Sequence, residues 1–272
     1  MSTAGPASRY QGDFVAWRGG AAFLGLGGSG AISTHSHYAI QLVLGAPSGL
    51  RVQFGRKGTL APCAAALNPS RAPHTIDVSA CEWGLVLFVE PHTPEGRALT
   101  SLLQGRMLVL QPERIAAATQ RLERAWRLEK DADQVQAVCA QLVRELAQAT
   151  SREPSDPRVL AAIEYLQARV DQPVTLEDVA AVARLSPGRF RHLFVAETGM
   201  PLRTYVLWRR MVHVWTLLMQ GETLSRAAHA AGFADSAHLS RTSRTMFGLP
   251  PSAMQMTGPL SARLRVPQHY LG

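Results

Sequence analysis

Four side chains in the N-terminal half have the types and spacing of a ligand set. His35, His37 and Gln41 fall two and four residues apart in the run HSHYAIQLVL, and His74 closes the proline-flanked segment PSRAPH. Along a strand, residues separated by an even number share a face. With His74 on a facing strand, all four can therefore point into one barrel. Three imidazoles, those of His35, His37 and His74, can hold a divalent metal. The same residues can instead line an effector pocket that needs no cofactor, or be structural histidines, and spacing alone leaves the three readings open. A second set is basic. Gly188, Arg189, Arg191 and His192, with Val195, form the outward face of one predicted helix, and Ala237, His238, Ser240, Arg241 and Arg244 that of another. Arginines displayed in this way can reach guanine edges or phosphates.

The elements that carry the basic set are written twice. Setting Thr175-Leu176 over Thr223-Leu224 aligns Val179-Ala180 with Ala227-Ala228 and Leu185 with Phe233. One added residue in the turn then brings Phe190 over Leu239 and Gly199-Met200-Pro201 over Gly248-Leu249-Pro250. Each copy opens on a capping Thr followed by small apolar residues at helical spacing. In the first copy Ser186-Pro187 starts a second helix that should stop at Gly199, with Phe190, Leu193 and Phe194 turned inward. A small alanine-rich helix, a tight turn and a helix with a basic face make a helix-turn-helix suited to a major groove. Between the copies Tyr205, Trp208, Val212, Trp215 and Met219 form an apolar stripe, expected to be a packing spine that spaces the two recognition helices.

The runs LSPGRFRHLF (185–194), GMPLRTYVLWRRM (199–211) and AAHAAGFADSAHLSRTSRTMFGLPP (227–251) resemble the AraC/XylS family of bacterial transcription regulators. The resemblance covers roughly 100 residues and both helix-turn-helix units in order. Two positions depart from it: His192 stands where members usually have Arg, and Ser243 where they have a buried aromatic, which leaves a hydroxyl in need of a partner. The histidine segments also resemble the two halves of the cupin signature, with Gln41 in place of its carboxylate and Arg71 in place of its glycine. Together the resemblances imply a two-domain α+β fold. It would have an N-terminal cupin-like β-barrel with a helical dimerisation segment, and a C-terminal all-α domain with two helix-turn-helix units. The implied function is sequence-specific transcription regulation under a small-molecule effector, with double-stranded DNA, a second copy of the chain and, for an activator, RNA polymerase as partners. The alternative is a metal-binding cupin sensor or cupin enzyme fused to a DNA-binding domain, disfavoured by the missing carboxylate.

The rest of the chain fits that division. Residues 1–12 read as a disordered tail and 13–110 as the effector-binding domain, with short apolar segments such as FVAW, AAFLGL, YAIQLVL and GLVLFVE punctuated by Gly and Pro. Residues 111–149 form a helical stripe, Ile115, Leu122, Trp126, Val135, Val138, Leu142 and Leu146, interrupted near Asp131–Asp133. It either packs on its own barrel or meets a second chain, and the family resemblance implies the second, with Trp126 as the expected contact. Residues 150–157 read as a linker, 158–256 as the DNA-binding domain and 257–272 as a tail. Gly25 to Gly30 formally fits a dinucleotide loop, but a strand-like run follows it, so turn glycines explain it better.

The chain of 272 residues has a net charge of +8, the C-terminal part from 151 being the most basic with 14 basic and 9 acidic residues, which favours an anionic partner. Three widely spaced cysteines, no long apolar run and no signal-peptide core point to a reducing, cytoplasmic setting without a membrane partner.

Overall fold

The computed structural model describes residues 10–26, 30–148 and 156–264. The expected linker therefore lies almost wholly outside the described residues, as do residues 1–9, 265–272 and the centre of the glycine run, 27–29.

Nine strands follow in close succession: β1 (Tyr10–Trp17), β2 (Gly20–Leu26), β3 (Ala31–His35), β4 (Ile40–Ala46), β5 (Arg51–Phe54), β6 (Ala61–Pro62), β7 (Ala65–Asn68), β8 (His74–Asp77) and β9 (Trp83–Val89). With β10 (Leu108–Leu110) and β11 (Met254–Met256) they form a seven-stranded sheet, β10-β7-β4-β9-β2-β1-β11, and a four-stranded sheet, β3-β8-β5-β6. Alternation along the central strands sorts their side chains between two layers. Leu42, Leu44, Leu85 and Leu87 face a helical layer, while Val43 and Val86 face the second sheet, where Val52 and Ile76 meet them.

The helical layer is α1 (Pro94–Leu103), α2 (Pro112–Glu123), which continues as a π-turn over Arg124–Glu129, and α3 (Ala132–Ala147). Lys130 in a left-handed conformation and Asp131, whose carboxylate caps α3, make the break expected in this stretch. The apolar stripe is buried against the chain's own barrel. This corrects the expected use of Trp126: its ring is fully buried beside Trp83, and its indole N–H donates to Asp13 at 2.7 Å, so it is not available to a second chain.

The C-terminal half is helical: α4 (Pro157–Gln167), α5 (Leu176–Val182), α6 (Pro187–Thr198), α7 (Leu202–Met219), α8 (Leu224–Ala230), α9 (Ser236–Phe247) and α10 (Pro259–Leu264). Three expectations need correction at its margins. Tyr10–Gly12, expected in a disordered tail, are strand residues paired with both β2 and β11. Residues 254–256, expected in an all-α domain, add β11 in parallel to the N-terminal sheet. Residues 257–264 form an ordered return rather than a tail. The Asp13 carboxylate accepts the backbone N–H groups of Leu260 (2.9 Å) and Ser261 (2.8 Å), and an added Cβ at Gly258 would lie 2.2 Å from it. In each case a long-range strand pair or cap fixes residues whose local sequence carries no periodic signal.

The two halves share one core. The stripe on α7 is buried as expected, but it packs on the barrel as well: Trp215 meets Phe23 edge-on at 5.0 Å, and Trp208 meets Phe88 at 5.4 Å. Buried Glu90 accepts from the Trp208 indole at 2.8 Å and from Arg209 at 3.2 Å, and Arg97 pairs with Glu197 at 3.0 Å. Among the described residues no helix is long and apolar enough to cross a membrane.

Candidate nucleic-acid interface and histidine-lined cavity

The sequence repeat is a repeat of geometry. In the first copy Thr175 and Asp178 cap α5 reciprocally, and in the second Thr223 caps α8 through the N–H of Arg226. The turns match atom for atom. Leu185 N–H donates to Ala180 O at 2.9 Å and Phe233 N–H to Ala228 O at 3.0 Å, each after a left-handed residue, Arg184 (φ 52°) in one copy and Gly232 (φ 73°) in the other. Both second helices, α6 and α9, end on left-handed glycines, Gly199 and Gly248.

On α6, Gly188, Arg189, Arg191 and His192 are exposed, while Phe190 and Phe194 are buried and Leu193 is half-buried. On α9, Ala237, Arg241 and Arg244 are exposed, and His238 and Ser240 are half-buried, the His238 ring resting against Phe233. Eight other guanidiniums are salt-bridged, but among the described residues none of Arg189, Arg191, Arg241 and Arg244 has an ion-pair partner. An added Cβ at Gly188 meets nothing within 4 Å, so packing does not require its smallness. The buried Ser243 hydroxyl is satisfied by the carbonyl of Leu249 at 2.7 Å. The core thus closes around the smaller side chain without an orphaned polar group.

In the barrel, the structure brings His35, His37 and His74 together. Their ring centroids are 4.4 to 5.7 Å apart, and one ring nitrogen of each lies within 4.8 Å of the others. All three are buried. Each Nδ1 is 2.8 Å from a backbone carbonyl, that of Ser33, Ala39 and Ala72 respectively. A carbonyl can only accept, so Nδ1 carries the proton and Nε2 is left with its lone pair. The Nε2 atoms of His37 and His74 are buried with no hydrogen-bond partner among the described residues, at a cost of about 1–3 kcal/mol each. Burial depresses all three ring pKa values, that of His35 to about 3. Repulsion from His74 adds to the effect on His35 and His37. Gln41 stands apart from the triad: its Oε1 accepts from Asn68 Nδ2 at 2.9 Å.

His35 and Gln41 line an apolar cavity of about 70 Å³ between the sheets, walled by Phe23, Ile76, Val86 and Phe88. Four further wall residues, Trp215, Phe247, Leu249 and Met254, belong to the helical half, and no local pattern in the sequence marks them for the barrel. His37 and His74 stand behind this wall rather than in it.

The histidine edge of the barrel also holds the ends of both recognition helices. A Cβ added at Gly248 would come within 2.8 Å of His35 Nδ1, so the end of α9 rests against that ring. Arg71 N–H donates to the His37 carbonyl at 2.7 Å, and its guanidinium donates to the carbonyl of Gly199 at the end of α6. Arg71 has φ 65°, the conformation that a glycine at this position would supply. The sequence departure from glycine is therefore a left-handed arginine that reaches the other domain.

Residues 179–256 match a family model described as a helix-turn-helix domain. The regulatory protein PocR of Salmonella typhimurium is 29% identical over 101 residues, which cover 37% of this chain and 33% of PocR. The multiple antibiotic resistance protein MarA of Escherichia coli is 28% identical over 109 residues, covering 39% of this chain and 86% of MarA. The chain thus spans about a third of the first relative's length. Among solved structures, ToxT of Vibrio cholerae with an unsaturated fatty acid bound aligns over 90% of this chain and 91% of ToxT, with a TM-score of 0.52 at 10% identity, a likeness of fold.

Proposed function

We propose that this chain, whose C-terminal part is a helix-turn-helix domain of the AraC type, is a sequence-specific transcription regulator that enters two successive major grooves with α6 and α9. The observation that supports it most directly is the pair of matching turns, followed by helices that present four arginines outward with no ion-pair partner among the described residues. Arg189, Arg191 and His192 serve one groove, and His238, Ser240, Arg241 and Arg244 the next, with Gly188 and Ala237 allowing close approach. Selection of genomic fragments with the purified protein tests this. Enrichment of a site with two motifs about one helical turn, roughly 34 Å, apart is expected. Equal retention of all fragments across a salt titration would overturn it.

We infer further that a small apolar molecule in the barrel controls DNA binding. ToxT carries a fatty acid, and the cavity here is lined almost wholly by apolar side chains, with His35 and Gln41 as its polar points. About 70 Å³ is less than half of the roughly 150 Å³ cavity that admits benzene, so a ligand of any size must displace wall residues. Those on the helical side are Trp215 on α7, Phe247 and Leu249 at the end of the second recognition helix, and Met254 beyond them. A ligand shifts such an equilibrium only through its different affinity for the two arrangements, so activation through RNA polymerase and repression are both compatible. The reading places the protein in the cytoplasm. A homodimer would have to use surfaces other than the buried helical stripe, such as exposed Leu102, Leu108, Val109 and Leu128.

A further inference from the structure

We propose that His92, buried where the barrel meets the first helix-turn-helix, is a proton-operated latch: the neutral ring keeps that unit docked on the barrel and the protonated ring releases it. The inference rests on the junction alone and stands apart from the DNA-binding reading.

Both halves of the chain contribute to this junction. From the barrel come Glu90, just past the end of β9, His92 in the loop that follows it, and Arg97 on α1. From the helical half come Glu197 in the last turn of α6, and Tyr205, Trp208 and Arg209 on α7. Glu90 is 1% exposed and His92 7%. Glu90 Oε1 serves Trp208 and Arg209, which leaves Oε2 to His92, whose Nε2 lies 3.4 Å from it. The His92 ring also meets the Tyr205 ring edge-on at 5.8 Å. Four polar atoms here are buried with no hydrogen-bond partner among the described residues: Glu90 Oε2, His92 Nδ1, Arg97 Nε and Arg209 Nε. They are half of all such side-chain atoms among those residues, so this is the part of the interface that gains most from admitting water.

The arrangement accepts a neutral ring and rejects a charged one. An imidazolium carries two N–H donors. With one turned to Glu90, the other sits on Nδ1, which has no acceptor while the halves are docked and finds water when they part. Charge acts in the same direction. Burial depresses the His92 pKa; the Glu90 carboxylate opposes this, but the guanidiniums of Arg209, Arg97 and Arg18, the last in the turn between β1 and β2, add to it. Glu197 offsets Arg97, with which it pairs at 3.0 Å. The Tyr205 hydroxyl, pushed up by burial, keeps its proton throughout. His213, further along α7, interacts with Asp171 and Arg209 and not with Glu90. The docked ring thus holds its proton less tightly than a solvated one, whose pKa is about 6.5. Docking is complete above that pH, and the ratio of docked to released chains falls by up to about tenfold per pH unit below it. The second unit is tied differently, by the pairing of β11 with β1 and by the Asp13 cap on α10, and neither tie contains a histidine. Acid therefore frees the end of α6 and the first turns of α7 while the C-terminal tie holds.

The test is hydrogen exchange of the full-length protein without DNA, read by mass spectrometry over residues 193–209 between pH 7.5 and 5 and corrected for the intrinsic pH dependence of exchange. In the parent, opening of this segment should rise by up to about tenfold per pH unit below 6.5. His92→Gln keeps an N–H for Glu90 and takes up no proton, so its opening should not rise. His213→Gln should follow the parent. The barrel histidines are common to all three proteins and cancel in the comparison. Circular dichroism verifies folding. Should His92→Gln fail to fold, Arg18→Gln is read instead: Arg18 is exposed, and losing its repulsion eases protonation of the docked ring, so opening should rise less steeply than in the parent. Protection that does not change with pH in the parent, or the parent's full dependence retained in the variant read, would overturn the latch, whether or not the same sample binds DNA.

Discussion

Asp13 is the residue whose removal should be felt farthest from its own position. Its carboxylate is fully buried and accepts three hydrogen bonds, from the Trp126 indole at 2.7 Å and from the backbone N–H groups of Leu260 at 2.9 Å and Ser261 at 2.8 Å. One side chain on the first strand thus ties the helical layer to the last helix. Asp13→Ala strands three donors. Hydrogen bonds to a charged group contribute about 1.5–3 kcal/mol each, and partial entry of water at the end of α10 recovers some of it, so a loss of about 3–6 kcal/mol is expected. This is a large share of the roughly 5–15 kcal/mol available to a folded domain. Asp13→Asn separates the contributions. Its amide oxygen can take the place of Oδ2, which serves Trp126 and Leu260, but its NH₂ would face the N–H of Ser261, so a smaller loss of about 1–3 kcal/mol is expected. Urea denaturation followed by tryptophan fluorescence measures the stability, and hydrogen exchange at Leu260 and Ser261 reports undocking of α10. A loss below about 1 kcal/mol in Asp13→Ala, with both amides still protected, would refute the reasoning.

Four further outcomes are expected. Arg191→Ala and Arg241→Ala should each cost about 1–3 kcal/mol on the selected DNA site and less on random DNA, as fluorescence anisotropy would show; equal losses would assign both to phosphates. Arg184→Gly should stabilise the first helix-turn-helix by about 0.5–1 kcal/mol, because it relieves a left-handed arginine that has no ion-pair partner among the described residues; thermal denaturation checks it. Trp126→Ala should cost about 3–5 kcal/mol and leave the sedimentation-derived oligomeric state of the folded protein unchanged. In chelator-treated protein, stability should fall as pH drops below 6.5. The three barrel histidines are held neutral in the fold, His35 down to about 3, while the unfolded chain takes up protons near 6.5. The unfolded state then binds more protons, with a limiting slope of about 1.4 kcal/mol per pH unit for each histidine. A pH-independent denaturation midpoint between 7 and 5 would contradict it.

What the sequence disclosed depended on whether the signal was local. Caps, turn glycines and three-to-four-residue apolar spacing repeat within about 25 residues, so both helix-turn-helix units can be traced in the sequence, as can the even spacing of His35 and His37. The parallel pairing of β11 with β1 cannot, because Met254–Met256 is too short to carry a strand signal and its partner lies more than 240 residues away. The expectation for Trp126 fails for a related reason. An apolar stripe looks the same whether it faces its own barrel or another chain, and only the donor–acceptor match with Asp13 decides the matter. Arg71 stands in the sequence as a departure from glycine, but its use depends on Gly199, 128 residues further on.

The cavity wall assembled from both halves of the chain has a thermodynamic corollary. If filling the cavity changes the affinity for DNA by some factor, occupation of the DNA site must change the affinity for the cavity ligand by the same factor. Promoter DNA is then itself an effector of the barrel. A ligand too weak to be seen on the free protein becomes measurable in the presence of saturating operator, or is expelled by it, according to the sign of the coupling. Ligand screens carried out with and without DNA would accordingly rank compounds differently, and the difference in rank is the regulatory signal.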